Sequence, residues 1–341
     1  MISFEDRMAA HQVEWRRANI PSRDQGWQNG KQYEWILPQR MWEAGLYPGI
    51  RSGQPNSLPA YLEAEGVQRH QGSHNLKSSW ILCANVYFPF RASTEGRRLL
   101  AGFLRERAHP SIVAVDRLEL EYAESTGSPL HPSALLGEEG GSRGAGQTSP
   151  DLAFIVNGGR GLILTENKWV EHSFYRCSAR DKTGSDARPA NPDLARCVLA
   201  TSVLADPGGQ CQQVAWGRKY WQHLEPVADL VRWKALRTCP AASGGYQLFR
   251  QQALAEGIAA SGKYEFVVSC VAIDDRNEDL RTCLASTGIK DIRQWGKLFK
   301  GKATFAVFTH QEWVRWVAAR GDREQWGEWL KYVDERYGLR S

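Results

Sequence analysis

The sequence predicts an α/β protein in which a mixed central β-sheet is flanked by helices. Two observations carry this prediction: alternating apolar residues mark strands in the middle of the chain, and apolar residues at three- and four-residue spacing mark helices before and after them. The order is one helical region, then three strands, then helices that alternate with further strands. Strands joined by tight turns pair antiparallel and strands joined through helices pair parallel, so this order gives a mixed sheet.

The helices are predicted from apolar residues that recur on one side. In EGRRLLAGFLRER, the residues Leu99, Leu100, Phe103 and Leu104 share one face of a helix. The same spacing ends the chain, from Trp326 to Tyr337. The predicted helices span 78–90, 95–107, 210–224, 246–260 and the region around 326–337.

The strands are predicted from alternation and from β-forming residues. In VDRLELEYAE, apolar and charged residues alternate. Leu118, Leu120 and Tyr122 are expected to face one side of the sheet, and the charged residues to face the other side: Arg117, Glu119 and Glu121. The predicted strands span 115–124, two runs within 148–169, then 263–274 and 302–309. Together they supply the sheet.

The first 76 residues show no sustained hydrophobic period. They are rich in Trp, Gln, Arg and Gly, and LYPGIRSGQPNS is a cluster of turn residues. We therefore expect residues 1–76 to form an irregular N-terminal extension, and residues 77–341 to form the main domain.

Charge and composition limit the class of protein. The net charge of +5 is compatible with a polyanionic partner such as nucleic acid. The N-terminus lacks the apolar segment of a signal peptide, and no stretch reaches the roughly 18 apolar residues that a membrane span needs. We therefore expect a cytoplasmic protein without a membrane partner.

The seven cysteines are then expected to be thiols or metal ligands rather than disulfides. Four of them follow the predicted hairpin within one irregular region: Cys177, Cys197, Cys211 and Cys239. Four thiolates could hold zinc or an iron–sulfur cluster, but the close Cys pairs of structural zinc sites are absent from the sequence. Three roles for these cysteines therefore remain open: zinc ligands, ligands of an iron–sulfur cluster, or ordinary thiols.

The stretch TSPDLAFIVNGGRGLILTENKW places acids and a lysine at the ends of a predicted hairpin. With a turn at Gly158-Gly159, Asp151 lies opposite Glu166; with a turn at Asn157-Gly158, Glu166 is its diagonal neighbour. Both registers leave Asp151, Glu166 and Lys168 on one face of the sheet. Opposed Cβ atoms lie roughly 4.5–5.5 Å apart and diagonal ones about 7–8 Å, so either register lets two carboxylates share one divalent cation.

This set of side chains suits phosphodiester hydrolysis. Two adjacent carboxylates repel each other unless a cation or a shared proton lies between them. A hard cation held by oxygen can polarise a phosphoryl oxygen and lower the pKa of a bound water. The lysine can orient that water or stabilise charge on the phosphate.

The stretch resembles the PD-(D/E)XK nuclease superfamily, with Pro150-Asp151 and Glu166-Asn167-Lys168 in the positions of the motif. The wider run from ELEYAE to ENKWVEHSF is similar to bacterial restriction endonucleases of that group. The resemblance implies a restriction-endonuclease-like fold and a Mg²⁺-dependent DNA endonuclease of restriction or phage-defence type, with Mn²⁺ as a substitute. Asp151 and Glu166 would hold the metal, Lys168 would position the attacking water, and Glu121 could add a third carboxylate.

Other functions remain open at this point. The fold could serve a non-catalytic nucleic-acid-binding or partner protein, or a nuclease that acts on RNA. Restriction-type enzymes often form homodimers because two DNA strands need two sites, and defence-system partner proteins are also expected. For the DNA endonuclease, Asp151→Ala or Lys168→Ala is expected to abolish cleavage and to leave the melting temperature nearly unchanged.

Overall fold

A five-stranded mixed sheet lies at the centre of the structure, a computed structural model that describes residues 2–180 and 188–340. The strands are β1 (Gly26–Gln28), β2 (Lys31–Tyr33), β3 (Val115–Leu120), β4 (Leu152–Val156), β5 (Gly161–Asn167), β6 (Phe266–Ile273) and β7 (Thr304–Thr309). The first two pair with each other alone, and the other five lie side by side in chain order. Strands β3, β4 and β5 pair antiparallel, and β5, β6 and β7 pair parallel. The predicted mixed sheet is confirmed.

Helices cover the sheet. The α-helices among the described residues are α1 (Phe4–Asn19), α2 (Leu58–Ala64), α3 (Ser79–Tyr87), α4 (Thr94–Arg107), α5 (Pro132–Leu136), α6 (Ala200–Ala205), α7 (Pro207–Gln210), α8 (Gln212–Ala215), α9 (Tyr220–Leu224), α10 (Leu230–Lys234), α11 (Tyr246–Ala260), α12 (Glu278–Arg281), α13 (His310–Arg320) and α14 (Arg323–Tyr337). Short 3₁₀ helices span Gln39–Gly45, Pro48–Ile50, Gln71–His74, Phe88–Phe90, Glu225–Val227, Ala241–Ser243, Ala285–Thr287 and Ile292–Leu298. Among the described helices, none combines the length and the apolar character that crossing a membrane would require.

Each face of the sheet has its own hydrophobic core. On one face, Leu152, Phe154 and Ile163 pack with helices α3, α4, α13 and α14. On the other face, Ala153 and Leu164 pack with helices α9 and α11. Strands buried on both faces read as nearly continuous apolar runs, which explains LAFIV and GLIL in the sequence.

The hairpin has one of the two predicted registers. Leu152 pairs with Thr165 and Val156 with Gly161, which corresponds to the turn at Gly158-Gly159. Asn157 adopts a left-handed conformation with φ of 59°. Its side-chain amide joins this turn to the chain before β3 through hydrogen bonds at residues 111, 113 and 114. The register continues to Asp151, which it places opposite Glu166.

Strand β3 is shorter than predicted. It ends at Leu120, and Glu121 has a left-handed backbone with φ of 48°. Such a residue ends the alternation of faces. Leu118 and Leu120 therefore lie in one core while Tyr122 lies in the other, and the predicted alternation through Tyr122 is wrong.

Two other regions differ from the predictions. The region 210–224 is not one helix, because the chain breaks into α7, α8 and α9, with Gly217 at a φ of 75° between the last two. The N-terminal region contains the regular helix α1, which packs against α14, and Gln12 donates a 2.6 Å hydrogen bond to the carbonyl of Arg336. Phe4 and Leu58 of this region contribute to the core around α3 and α14.

Candidate active site

The ends of three neighbouring strands meet at one edge of the sheet. Glu121 follows β3, Asp151 precedes β4 and Glu166 lies near the end of β5. Strand β4 runs antiparallel to both β3 and β5, so the start of β4 lies beside the ends of β3 and β5. The three residues therefore lie together at the same edge of the sheet. Lys168 follows β5, and its backbone N–H bonds to the carbonyl of Ala272 at the end of β6.

Two short hydrogen bonds fix the predicted side chains. Lys168 Nζ donates to Glu166 Oε1 over 2.6 Å, and both side chains are buried. Asp151 Oδ2 accepts a 2.7 Å hydrogen bond from the backbone N–H of Asn167, the residue between Glu166 and Lys168. The structure thus brings Asp151, Glu166 and Lys168 together, as the sequence predicts.

The site holds more acid than base. Burial and the charge of Glu166 raise the pKa of Asp151 to about 8. Burial, Asp151 and Glu166 raise the pKa of Glu121 well above its ordinary range. Burial alone would lower the pKa of Lys168, but Glu166, Glu171 and Asp151 outweigh it and raise the pKa. Carboxyl groups with raised pKa values beside one ammonium indicate a place for a further cation.

The donor set fits a magnesium ion held by few protein ligands. Oδ1 of Asp151 and Oε2 of Glu166 make no hydrogen bond with the described residues. Mg²⁺ prefers oxygen ligands and is commonly held by one or two carboxylates together with waters and substrate phosphates. Within the described ranges, no three or more His, Cys, Asp or Glu residues are arranged to hold a metal ion, so Glu121 does not complete a three-carboxylate set.

Two residues outside the predicted set support this site, Glu171, whose supporting role the sequence offers, and His310, which sequence reasoning missed. Glu171 accepts hydrogen bonds from the Ser79 hydroxyl and from the backbone N–H of Trp169. His310 Nε2 lies 3.0 Å from the carbonyl oxygen of Lys168, and Nδ1 lies 2.9 Å from the hydroxyl of Tyr87. One signal was present: His310 directly follows strand β7, and residues after parallel strands gather at one edge of a sheet.

The histidine is neutral and its tautomer follows from its partners. Burial lowers the pKa of His310 to about 4. A carbonyl oxygen can only accept, so Nε2 carries the proton and donates to Lys168, and Nδ1 accepts from the Tyr87 hydroxyl. This bond holds the backbone of the motif lysine.

The four cysteines that follow the hairpin come together. Cys177, Cys197, Cys211 and Cys239 line one pocket with apolar neighbours from α6, α9 and α11. Burial raises the pKa of Cys177 to about 11 and that of Cys239 to about 12, so both are protonated as they stand. In the part of the chain that the structure describes, no three of them are placed to hold a metal ion, so a single zinc ion does not fit their positions.

The mixed sheet with acids and a lysine at neighbouring strand ends defines a restriction-endonuclease-like protein. The chain belongs to the family described as restriction endonuclease associating with ARP, whose family model matches residues 7–338. Membership in this family indicates a nuclease. In the same comparisons, no curated protein and no solved structure matches the chain.

Proposed function

We propose that this protein is a Mg²⁺-dependent endonuclease that hydrolyses DNA phosphodiester bonds, of restriction or phage-defence type. One observation carries the proposal: Asp151, Glu166 and Lys168 meet at one edge of the sheet, with Lys168 Nζ 2.6 Å from Glu166 Oε1. Family membership adds independent support for a nuclease. The net charge of +5 is compatible with a nucleic-acid substrate.

Each residue has a separate part in the reaction. Asp151 and Glu166 would hold Mg²⁺, which when bound polarises a phosphoryl oxygen and lowers the pKa of a water molecule. Lys168 stays an ammonium because its pKa is raised, so it acts through charge and hydrogen-bond donation and not as a base. Its place beside Glu166 lets it orient the water whose oxygen bonds to phosphorus while the ester P–O bond breaks; the water loses a proton to solvent, and the leaving oxygen takes one up from solvent. Glu121 would place a further carboxyl group beside the two ligands.

A plasmid assay tests the proposal. Supercoiled DNA is incubated with the protein in Mg²⁺, in Mn²⁺ and in EDTA, alongside the variants Asp151→Asn and Lys168→Ala. Cleavage is expected with either metal, none in EDTA, and none with either variant. The matched controls Asp279→Asn and Lys331→Ala change exposed residues and should cleave normally.

The same assay separates the alternatives. Cleavage of RNA in place of DNA would favour an RNA-directed nuclease. Metal-independent binding to DNA without cleavage would favour a non-catalytic nucleic-acid-binding protein. Full cleavage by Asp151→Asn or Lys168→Ala would contradict the assignment of the site.

We also propose partners for this endonuclease. The family description couples these endonucleases with ARP, so a partner protein of that name is expected to associate with this chain. A homodimer would supply a second site for the second DNA strand. Analytical ultracentrifugation with and without DNA measures whether the protein forms this homodimer.

We propose an iron–sulfur cluster as a second metal centre, at the four cysteines of the pocket. Support comes from their convergence, although they are far apart in sequence, and from donors that face the sulfur atoms. Gln213 Nε2 lies 3.2 Å from Cys177 Sγ, and Asn191 Nδ2 lies 3.5 Å from Cys197 Sγ. Thiolates around several iron atoms stand farther apart than ligands of one ion, and hydrogen bonds to sulfur tune such clusters.

A further inference from the structure

Arg250 lies beside the candidate active site with only part of its guanidinium engaged. It belongs to helix α11, which packs on the face of the sheet that carries Ala153 and Leu164. Asp151 lies two residues before Ala153, and Glu166 two residues after Leu164. Because residues two apart on a strand face the same side, these acids and Lys168 point to that same face. The charge of Glu166 is among those that raise the pKa of Arg250, as expected of a guanidinium that lies near the active site on the covering helix.

One nitrogen of Arg250 is anchored. Nε donates to Oε1 of Glu138 over 3.2 Å and to the hydroxyl of Thr148 over 2.9 Å. Thr148 lies three residues before Asp151, on the segment that leads into β4. The anchor therefore connects Arg250 to the chain that positions the first acid.

The anchor itself is rigid. The carboxylate of Glu138 is buried and accepts hydrogen bonds from the backbone and the hydroxyl of Thr148. It also accepts a 2.6 Å hydrogen bond from the hydroxyl of Tyr220. The ring of Tyr246 lies 5.4 Å from Cζ of Arg250 and flanks the guanidinium. Such a network holds the guanidinium in one orientation.

The outer nitrogens of Arg250 are free. Nη1 and Nη2 make no hydrogen bond with the described residues, and the side chain is 22% exposed. The other cation of the site, Lys168, already donates to Glu166. The Nη1 and Nη2 donors of Arg250 are coplanar and parallel, as bidentate binding of a phosphate requires.

We propose that Arg250 binds a backbone phosphate of the DNA strand at the active site through Nη1 and Nη2. This inference rests on the proposed function and adds the contact that holds the strand against Asp151 and Glu166. Arg250 binds the substrate and does not take part in proton transfer. Glu138 and Thr148 act through it as positioning residues.

Binding measured apart from cleavage tests this role. A labelled DNA duplex is titrated by fluorescence anisotropy in Ca²⁺ against full-length protein that carries Asp151→Asn, at several salt concentrations. Adding Arg250→Gln is expected to weaken binding at least about tenfold. It should also reduce the slope of log affinity against log salt by about one, since one phosphate contact is lost. The amide of glutamine can still donate to Glu138, which protects the fold.

Controls and a second variant keep the outcome clear. Arg232→Lys, at an exposed position, should change nothing. Arg250→Lys keeps the charge and loses the bidentate geometry, so binding should weaken while the salt slope stays. If Arg250→Gln unfolds, Arg250→Lys decides, and unchanged affinity there overturns the proposal.

The two proposals can fail separately. A wild-type protein that cleaves DNA, with a variant at Arg250 that binds as tightly and with the same salt slope, overturns the phosphate contact and leaves the nuclease standing. A wild-type protein that binds DNA through Arg250 without cleaving it supports the contact and overturns the nuclease. Absence of any DNA binding overturns the phosphate contact.

Discussion

The backbone N–H of Asn167 donates a 2.7 Å hydrogen bond to Oδ2 of Asp151. Asn167 stands between Glu166 and Lys168, so this one bond ties the acid of the first strand to the acid and the lysine of the second. Side chains fixed on paired strands hold their mutual distances better than side chains on loops.

Asp151→Asn should stabilise the metal-free protein at neutral pH. The pKa of Asp151 is about 8 in the folded protein against an ordinary 3.8, so between these values the unfolded chain ionises while the folded one stays protonated. The contribution of Asp151 to the free energy of unfolding of the wild type should therefore fall as pH rises from about 4 to about 8. The asparagine variant lacks this loss, so its advantage should grow across that window and then stay constant.

Urea unfolding in EDTA at a series of pH values measures the advantage of Asp151→Asn. Asp279→Asn, at an exposed position, is the matched control and should follow the wild type. A constant difference between wild type and Asp151→Asn from pH 4 to 8 would show that this carboxyl group is not held protonated.

Lys168→Ala should destabilise the fold as well as abolish cleavage. The sequence predicts a nearly unchanged melting temperature, but Lys168 and Glu166 form a buried pair, with side chains 5% and 9% exposed. Removing one partner of a buried pair typically costs about 3–5 kcal/mol, because the other charge is left uncompensated. Differential scanning calorimetry measures this loss, and the double variant Lys168→Met with Glu166→Gln should regain much of it without regaining activity. A single variant as stable as the wild type would show that the pair is hydrated.

His310→Phe should lower both stability and cleavage. The histidine donates to the carbonyl of Lys168 and accepts from Tyr87, and leaving such buried groups unpaired costs about 1–3 kcal/mol. The pKa of His310 is lowered to about 4 from an ordinary 6.5, so the contribution of His310 to the free energy of unfolding should fall as pH falls from about 6.5 to 4. The phenylalanine variant lacks this contribution, so the stability difference between wild type and variant should shrink over that range. His172→Phe, an exposed control, should retain the wild-type pH dependence.

The four pocket cysteines should carry iron and inorganic sulfide after anaerobic purification. Elemental analysis and visible absorbance are the measurements. Serine at any one of them, beginning with Cys239→Ser, should remove most of the iron. Cys83→Ser and Cys270→Ser are matched controls, because both residues are buried outside this pocket. Stoichiometric zinc without iron, or neither metal after reconstitution, would contradict the cluster.

The hairpin and its acids could be predicted because local rules fix them. Strand alternation places Asp151 and Glu166 on one face in any even register, and the glycines at 158 and 159 favour a tight turn. Where backbone conformation departed from the regular pattern, prediction failed. The left-handed Glu121 ended a strand that its sequence would have continued, and the break at Gly217 divided a helix whose apolar spacing looked unbroken.

The sequence by itself determined the mixed α/β class and the acids and lysine of the hairpin, because apolar period and turn residues act over a few neighbours. Only the tertiary structure decided that His310 holds the carbonyl of Lys168, that Arg250 is anchored by Glu138, and that four distant cysteines share a pocket. Those contacts join residues far apart in the chain, and they exist only after both faces of the sheet are covered. Hydrophobic burial brings such polar groups together, and no short stretch of the sequence predicts which of these groups will come into contact.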